Sequence, residues 1–113
     1  MTNVGTGRQA EAAAADYLER LGYTIVEQNW RTRQCEVDII AERQHVLYFC
    51  EVKYRHSESQ GSGLDYITPK KLRQMQFAAQ SWVHWRGWAG GYQLCAIEVS
   101  GPSFDITAFI EDV

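Results

Sequence analysis

Between residues 8 and 21, Ala10, Ala13, Ala14, Tyr17, Leu18 and Leu21 recur at three- and four-residue intervals. On a 3.6-residue repeat this forms one apolar stripe, so the pattern predicts an amphipathic helix. Gly22 follows in the position where helices commonly close with a left-handed residue. Glu11 falls at the border of the stripe, beside Leu18, where it can reach the edge of whatever the helix covers. The period then changes. Residues 23–29, 36–42, 46–54, 92–99 and 104–110 are rich in β-branched and aromatic residues and predict five strands, the last at a sheet edge. Tyr23, Ile25 and the Trp30 end of the first strand are expected to pack inward. Arg43, Gln44 and His45 form the turn of a hairpin, with His45 at its tip. The stretch 56–67, rich in Ser and Gly, reads as a surface loop. Thr68 followed by Pro69 is a helix start, and Leu72, Met75, Ala79, Trp82 and Val83 give that second helix its buried stripe up to Gly87. The order helix, three strands, helix, two strands predicts a mixed α/β fold of sheet and helices. No repeat or linker divides the chain, so residues 1–113 are expected to form one domain.

The second and third strands depart from a simple core pattern. Side chains alternate along a strand, so Glu36, Asp38 and Ile40 are expected on one face and Val37, Ile39 and Ala41 on the other. On the next strand Leu47, Phe49, Glu51 and Lys53 share a face opposite Val46, Tyr48, Cys50 and Val52. Both faces are apolar along much of their length, so both are expected to be covered by helices. An unpaired carboxylate in such a place costs several kcal/mol or becomes protonated. Two resolutions are open. In one, the charges sit at strand ends, with Lys53 paired to Asp38 or Glu51 as a structural salt bridge. In the other, Asp38 and Glu51 converge on a divalent cation, and hard oxygen ligands suit Mg²⁺ or Mn²⁺. Lys53, about 7 Å beyond Glu51 along the strand, would then orient an attacking water or stabilise charge developing on a phosphate.

Composition changes this picture little. Apolar residues make up 45% and charged residues 22% of the chain, as in an ordinary globular protein. The N-terminal residues lack the apolar core of a signal peptide, and no run is long enough to span a bilayer; a cytoplasmic protein is expected. Cys35, Cys50 and Cys95 show no CxxC spacing and fit a reducing compartment better than a disulfide framework or a zinc site. The net charge of −3 argues against a protein coated in basic charge for nucleic acid. Its distribution matters more than its sum: Arg31, Arg33, Arg55, Lys70, Lys71 and Arg73 surround the charged strands as a local basic rim suited to phosphates.

Asp38, followed on the next strand by Glu51-Val52-Lys53, is similar to the motif of the PD-(D/E)XK nuclease superfamily. More narrowly, the chain resembles the YraN-like family of small bacterial proteins, relatives of archaeal Holliday junction resolvases. The resemblance is carried by GRQAEAAAADYLERLGY, NWRTRQCEVDIIA, FCEVKYR and TPKKLRQMQFAA, and so extends over nearly the whole chain. It implies a restriction-endonuclease-like fold and a metal-dependent endonuclease that hydrolyses DNA, at branched or flapped structures, with Mg²⁺ or Mn²⁺. By the same resemblance Asp38 and Glu51 are metal ligands, Glu11 completes the site from the first helix, and Lys53 is the catalytic lysine. Lys71 matches a basic position of the second helix, and Glu36 is expected to support the site from behind. Two departures stand out: Cys35 occupies a position where the family usually has Gly, and Cys95 one where it usually has Asp.

Among the aromatics, Trp82 belongs to the buried stripe, whereas Trp85 and Trp88 lie off it and are expected to form an exposed patch that supports a homodimer. The reading from a different class is a nucleic-acid-binding or protein-interaction module that keeps the nuclease fold without turnover.

Overall fold

The computed structural model describes residues 4–56 and 65–113. Most of the loop expected over 56–67 therefore lies outside the described residues. Helix α1, Val4–Arg20, begins before the predicted start. Gly5 and Gly7 contribute no side chain to the apolar stripe, so its periodicity is silent there. At the other end Gly22 takes φ 96°, and Tyr23 donates its N–H back to the Leu18 carbonyl at 3.0 Å. Leu21, placed by its spacing on the buried stripe, falls after the last helical turn and is exposed.

Five strands follow in one sheet whose spatial order is the chain order, β1 to β5. Strands β1 (Thr24–Arg31), β2 (Glu36–Arg43) and β3 (Val46–Arg55) form an antiparallel meander. The β2–β3 turn is only two residues long, Gln44 and His45, with φ 53° and 67°. This is the turn whose twist matches the flanking strands, and it leaves Arg43 in the ladder opposite Val46. Helix α2 (Pro69–Arg86) then crosses over, and β4 (Gly91–Ser100) pairs parallel with β3 along its full length. Strand β5 (Asp105–Ile110) closes the sheet as an antiparallel edge. Both signals for α2 hold: Thr68 Oγ1 accepts the Lys71 N–H at 3.1 Å, and Gly87, at φ 70°, caps the far end.

The two helices cover opposite faces. Against α1, the small side chains Ala10 and Ala14, together with Leu18, pack on Ile39, Ala41, Cys50, Cys95, Ile97 and Val99. Against α2, Met75, Ala78, Ala79 and Trp82 pack on Ile40, Leu47, Phe49 and Leu94. Burying each large aliphatic side chain in these layers contributes about 1.5–3 kcal/mol. Tyr23, just before β1, and Ile25 within it face α1, but Trp30 packs on the α2 side. A bulge intervenes, because Ile25 pairs with Ala41 and Glu27 with Ile40, leaving Val26 out of register.

The predicted alternation of β2 needs one correction. Ile39 and Ala41 do share the α1 face, but Val37 packs with Ile40 on the α2 face. The reason is local: the β2–β3 ladder ends at Ile39 and Cys50, and the first residues of β2 remain paired only with β1. Once freed from β3, the strand is no longer held to a single pleat.

Candidate active site

Asp38 stands where β2 and β3 separate. Its Oδ2 accepts the Val52 N–H at 2.8 Å, replacing the ladder bond that the departing strand does not make. The opposing residue of β1, Asn29, adopts φ 56°, a left-handed conformation that Asn tolerates better than most residues. Desolvation raises the Asp38 carboxyl to about 7; the Val52 N–H acts against this, while the charges of Glu51, Glu11 and Glu36 add to it. Glu11, on α1, is also raised, first by burial and further by Glu36; a hydrogen bond with Asn29 and the charges of Arg31 and Arg8 oppose the shift. Four carboxylates from three elements thus feel one another at the open end of the β2–β3 pair.

Glu51 is held from the other side. Lys71 Nζ of α2 lies 2.9 Å from Glu51 Oε2. The structural salt bridge considered for Lys53 is therefore not the one that forms. Lys53 is exposed, its ammonium lies 5.7 Å from the centre of the Tyr66 ring, and it has no carboxylate partner among the described residues. Glu51 and Lys53 remain two residues apart on one face of β3, as the alternation requires.

A groove of about 750 Å³ runs beside this cluster, lined by Glu36 and Glu51 and by Arg31, Arg33, Lys70, Lys71 and Arg73. Five of the six cations expected to contact phosphates meet there. Helix α2 contributes three of them and contains no Asp or Glu at all, which is how an acidic chain presents a basic wall. Arg55 is the exception. Its guanidinium donates Nε–H to Glu98, which is 4% exposed, and Nη2 lies 2.7 Å from Asp65 Oδ1. Arg55 is thus committed to a buried ion pair rather than to the rim. Thr107 completes the acceptor side by donating to Glu98 Oε1 at 2.8 Å.

Sequence reasoning missed this pair and Tyr66. The signal for Glu98 was a lone carboxylate inside LCAIEVS, a run otherwise as apolar as any strand here. The Tyr66 hydroxyl is buried with no hydrogen-bond partner among the described residues, and its ring lies 5.7 Å from Lys53 Nζ and 5.9 Å from the Arg55 guanidinium. Burial first, and then the charge of Glu51, raises its phenol. Nothing in the sequence distinguished this tyrosine from the loop around it.

Among the described residues, no three His, Cys, Asp or Glu side chains converge closely enough to hold an ion unaided. The donor set still fits a hard cation, since Mg²⁺ is held by one or two carboxylates with water and substrate phosphate completing its shell. Asp38 has one oxygen engaged by a backbone N–H, and Glu51 has one engaged by a lysine, which leaves each a second oxygen for such an ion.

Neither cysteine departure disturbs this arrangement. Cys35 has no positive φ, so the position does not require Gly; its N–H donates to Thr32 Oγ1 in the β1–β2 turn. Cys95 is fully buried opposite Cys50 in the α1-side core, where both are free thiols and burial raises that of Cys50. The tryptophans separate. Trp82 is core, as expected, and donates Nε1–H to Glu27. Trp88 packs on His45, with ring centres 5.0 Å apart, and donates to the Gly91 carbonyl. It therefore leaves the proposed patch to Trp85, which stacks on Trp30.

No described helix is long and apolar enough to cross a membrane. The profile of the family described as "Uncharacterised protein family UPF0102" matches residues 10–109. A UPF0102 protein of Chlorobium chlorochromatii is 47% identical over 81 residues, 72% of this chain and 63% of that one. A UPF0102 protein of Cytophaga hutchinsonii is 30% identical over 106 residues, 94% of each chain. One from Flavobacterium johnsoniae is 38% identical over 80 residues, 71% of this chain and 65% of its own. The match thus spans less than two thirds of the Chlorobium and Flavobacterium relatives and nearly all of the Cytophaga one.

Proposed function

The chain belongs to the UPF0102 family, and from that footing we propose that it is a metal-dependent endonuclease hydrolysing DNA phosphodiester bonds. The observation that carries this reading is the setting of Glu51. It lines a groove walled by Arg31, Arg33, Lys70, Lys71 and Arg73, beside a lysine on its own strand that has no carboxylate partner among the described residues. Cations along a groove attract a polyanion, but a carboxylate cluster at its side repels one unless a counter-ion is present.

Asp38 and Glu51, with Glu11 reaching in from α1, would hold Mg²⁺ or Mn²⁺. Bound there, such an ion supplies Lewis acidity and offsets charge on the phosphate. The chain's own residues do the rest. The groove cations seat the backbone of the substrate, and Lys53 presents an ammonium that orients the attacking water and counters charge developing in the transition state. The Tyr66 ring beneath Lys53 limits where that ammonium can go. Arg55, Glu98 and Asp65 tie the segment carrying Tyr66 to β3 and β4.

Incubation with labelled linear, flapped and four-way-junction DNA, with and without Mn²⁺, tests this directly. Cleavage that requires the metal and disappears in Lys53→Ala is expected; no cleavage of any substrate in Mn²⁺ refutes the proposal. A second reading draws on the Lys71–Glu51 ion pair, which already neutralises one of the proposed ligands: a nucleic-acid-binding module without turnover. Calorimetric titration separates the two, because such a module needs no site that saturates with Mn²⁺.

A further inference from the structure

Helix α2 exposes aromatic rings as well as cations. Phe77 is 51% exposed and lines the basic groove together with Lys70 and Arg73. Trp85 is 62% exposed and stacks on Trp30 of β1, with ring centres 6.2 Å apart and planes at 25°. The Arg86 guanidinium lies 5.6 Å from the centre of the Trp85 ring. The core does not require this arrangement, because α2 buries a different stripe: Met75, Ala78, Ala79 and Trp82. Leaving a Phe and a Trp on the solvent side of a well-packed helix forgoes burial that each could contribute, and a partner that covered them would recover it.

The charge around them decides which partner fits. Lys70 and Arg73 flank Phe77 in the groove, Arg86 lies against the Trp82 and Trp85 rings at the far end, and α2 carries no acidic residue. A purely apolar protein partner would bury these cations at a cost, whereas a polyanion with flat π faces satisfies both features at once. Aromatic rings set in a positively charged track are the means by which proteins hold single-stranded nucleic acid without regard to sequence. A duplex offers them nothing, since its base faces are already stacked. Phe77 and Trp85 are eight residues apart, about 12 Å along the helix axis and about 80° around it, so a strand curving over α2 meets a ring within the groove and a second ring beyond it.

We propose that the solvent side of α2 is a base-stacking platform for a single-stranded arm of the substrate, with Phe77 and the Trp30–Trp85 pair as stacking residues and Lys70 and Arg73 as phosphate contacts. This rests on the nuclease reading for its biological sense and narrows it: the substrate class is nucleic acid with an unpaired segment next to the bond that is cut. Phe77 then selects for substrate form rather than taking part in the chemistry.

Binding in EDTA tests the platform apart from cleavage. Fluorescence anisotropy would be measured with labelled oligothymidylate and with its duplex with oligoadenylate, using wild type, Phe77→Ala, Trp85→Ala and Lys70→Ala. Wild type is expected to prefer the single strand. Phe77→Ala and Trp85→Ala should each weaken single-strand binding about ten-fold, the scale of one lost base stack, with duplex affinity unchanged. Lys70→Ala should weaken both and reduce their salt dependence. Single-strand binding that survives both aromatic substitutions, equal losses on strand and duplex, or no binding of the strand by wild type overturns the proposal. So does a wild-type dimer in sedimentation that either aromatic substitution dissociates while single-strand affinity stays intact; the face would then be a contact between copies. A protein that binds the strand through Phe77 yet cuts nothing in Mn²⁺ refutes the nuclease reading and leaves the platform standing.

Discussion

Replacing Asp38 with Asn should make the metal-free protein more stable, although it removes a residue placed at the centre of the site. The carboxyl is raised from 3.8 to about 7, chiefly by burial and further by Glu51, Glu11 and Glu36. A carboxyl raised on folding favours the folded state while it is protonated in both states, below about pH 4. That advantage is lost as the pH rises towards 7, where the folded protein must also ionise. At 1.36 kcal/mol per unit, the shift corresponds to a penalty of about 4 kcal/mol at most above pH 7, reduced in practice because Asp38 is only partly buried. The amide of Asn carries no charge and its oxygen can still accept the Val52 N–H. Urea unfolding of both proteins in EDTA should therefore give nearly equal stabilities at pH 4 and a gap of a few kcal/mol in favour of Asp38→Asn at pH 8. For a domain of this size that gap corresponds to about 10 °C in Tm. Millimolar Mn²⁺ should close it by stabilising wild type alone, since only wild type keeps the full ligand set. Equal stability at pH 8 in EDTA, or a less stable Asp38→Asn protein, would show that the carboxylate is not held at a cost and that the reasoning from burial is wrong.

Lys53→Ala should abolish metal-dependent cleavage while changing the unfolding free energy by less than about 0.5 kcal/mol, as expected for an exposed side chain without an ion-pair partner; a substantial loss of stability would show that the lysine is structural. Glu98→Ala should cost about 3–5 kcal/mol in urea unfolding, because it leaves the Arg55 guanidinium, 11% exposed, without its buried partner; a loss under 1 kcal/mol would mean that Asp65 and solvent suffice. Gly90→Ala should cost about 1–3 kcal/mol, since a Cβ there would lie 2.7 Å from Trp88 Cζ2 and 3.1 Å from the His45 carbonyl oxygen; intrinsic Trp fluorescence should report the displaced ring, and an unchanged Tm would refute the contact.

The residues that determine their own conformation were legible in the chain. Thr68 and Pro69 start α2 and Gly87 ends it, because the cap, the fixed φ and the left-handed closure depend on the residue and its immediate neighbours. The alternation of β3 was equally plain, since β3 is paired with β4 along its whole length and that ladder holds its pleat, and so Glu51 and Lys53 stay on one face. The start of β2 was not legible. Val37 and Asp38 read as an ordinary alternating strand, but the ladder to β3 stops at Ile39, and only the paired neighbour could show this. The partners of the charges were hidden for the same reason. Glu51 and Lys71 are twenty residues apart and meet only because α2 crosses between two parallel strands, while Arg55 and Glu98 meet because β4 returns beside β3. Local chemistry determined which residues could carry charge into the sheet. The crossover, which no local pattern encodes, decided that Lys71 rather than Lys53 neutralises Glu51, that Arg55 pairs with the buried Glu98 while its fellow cations line the groove, and that Phe77 faces that groove.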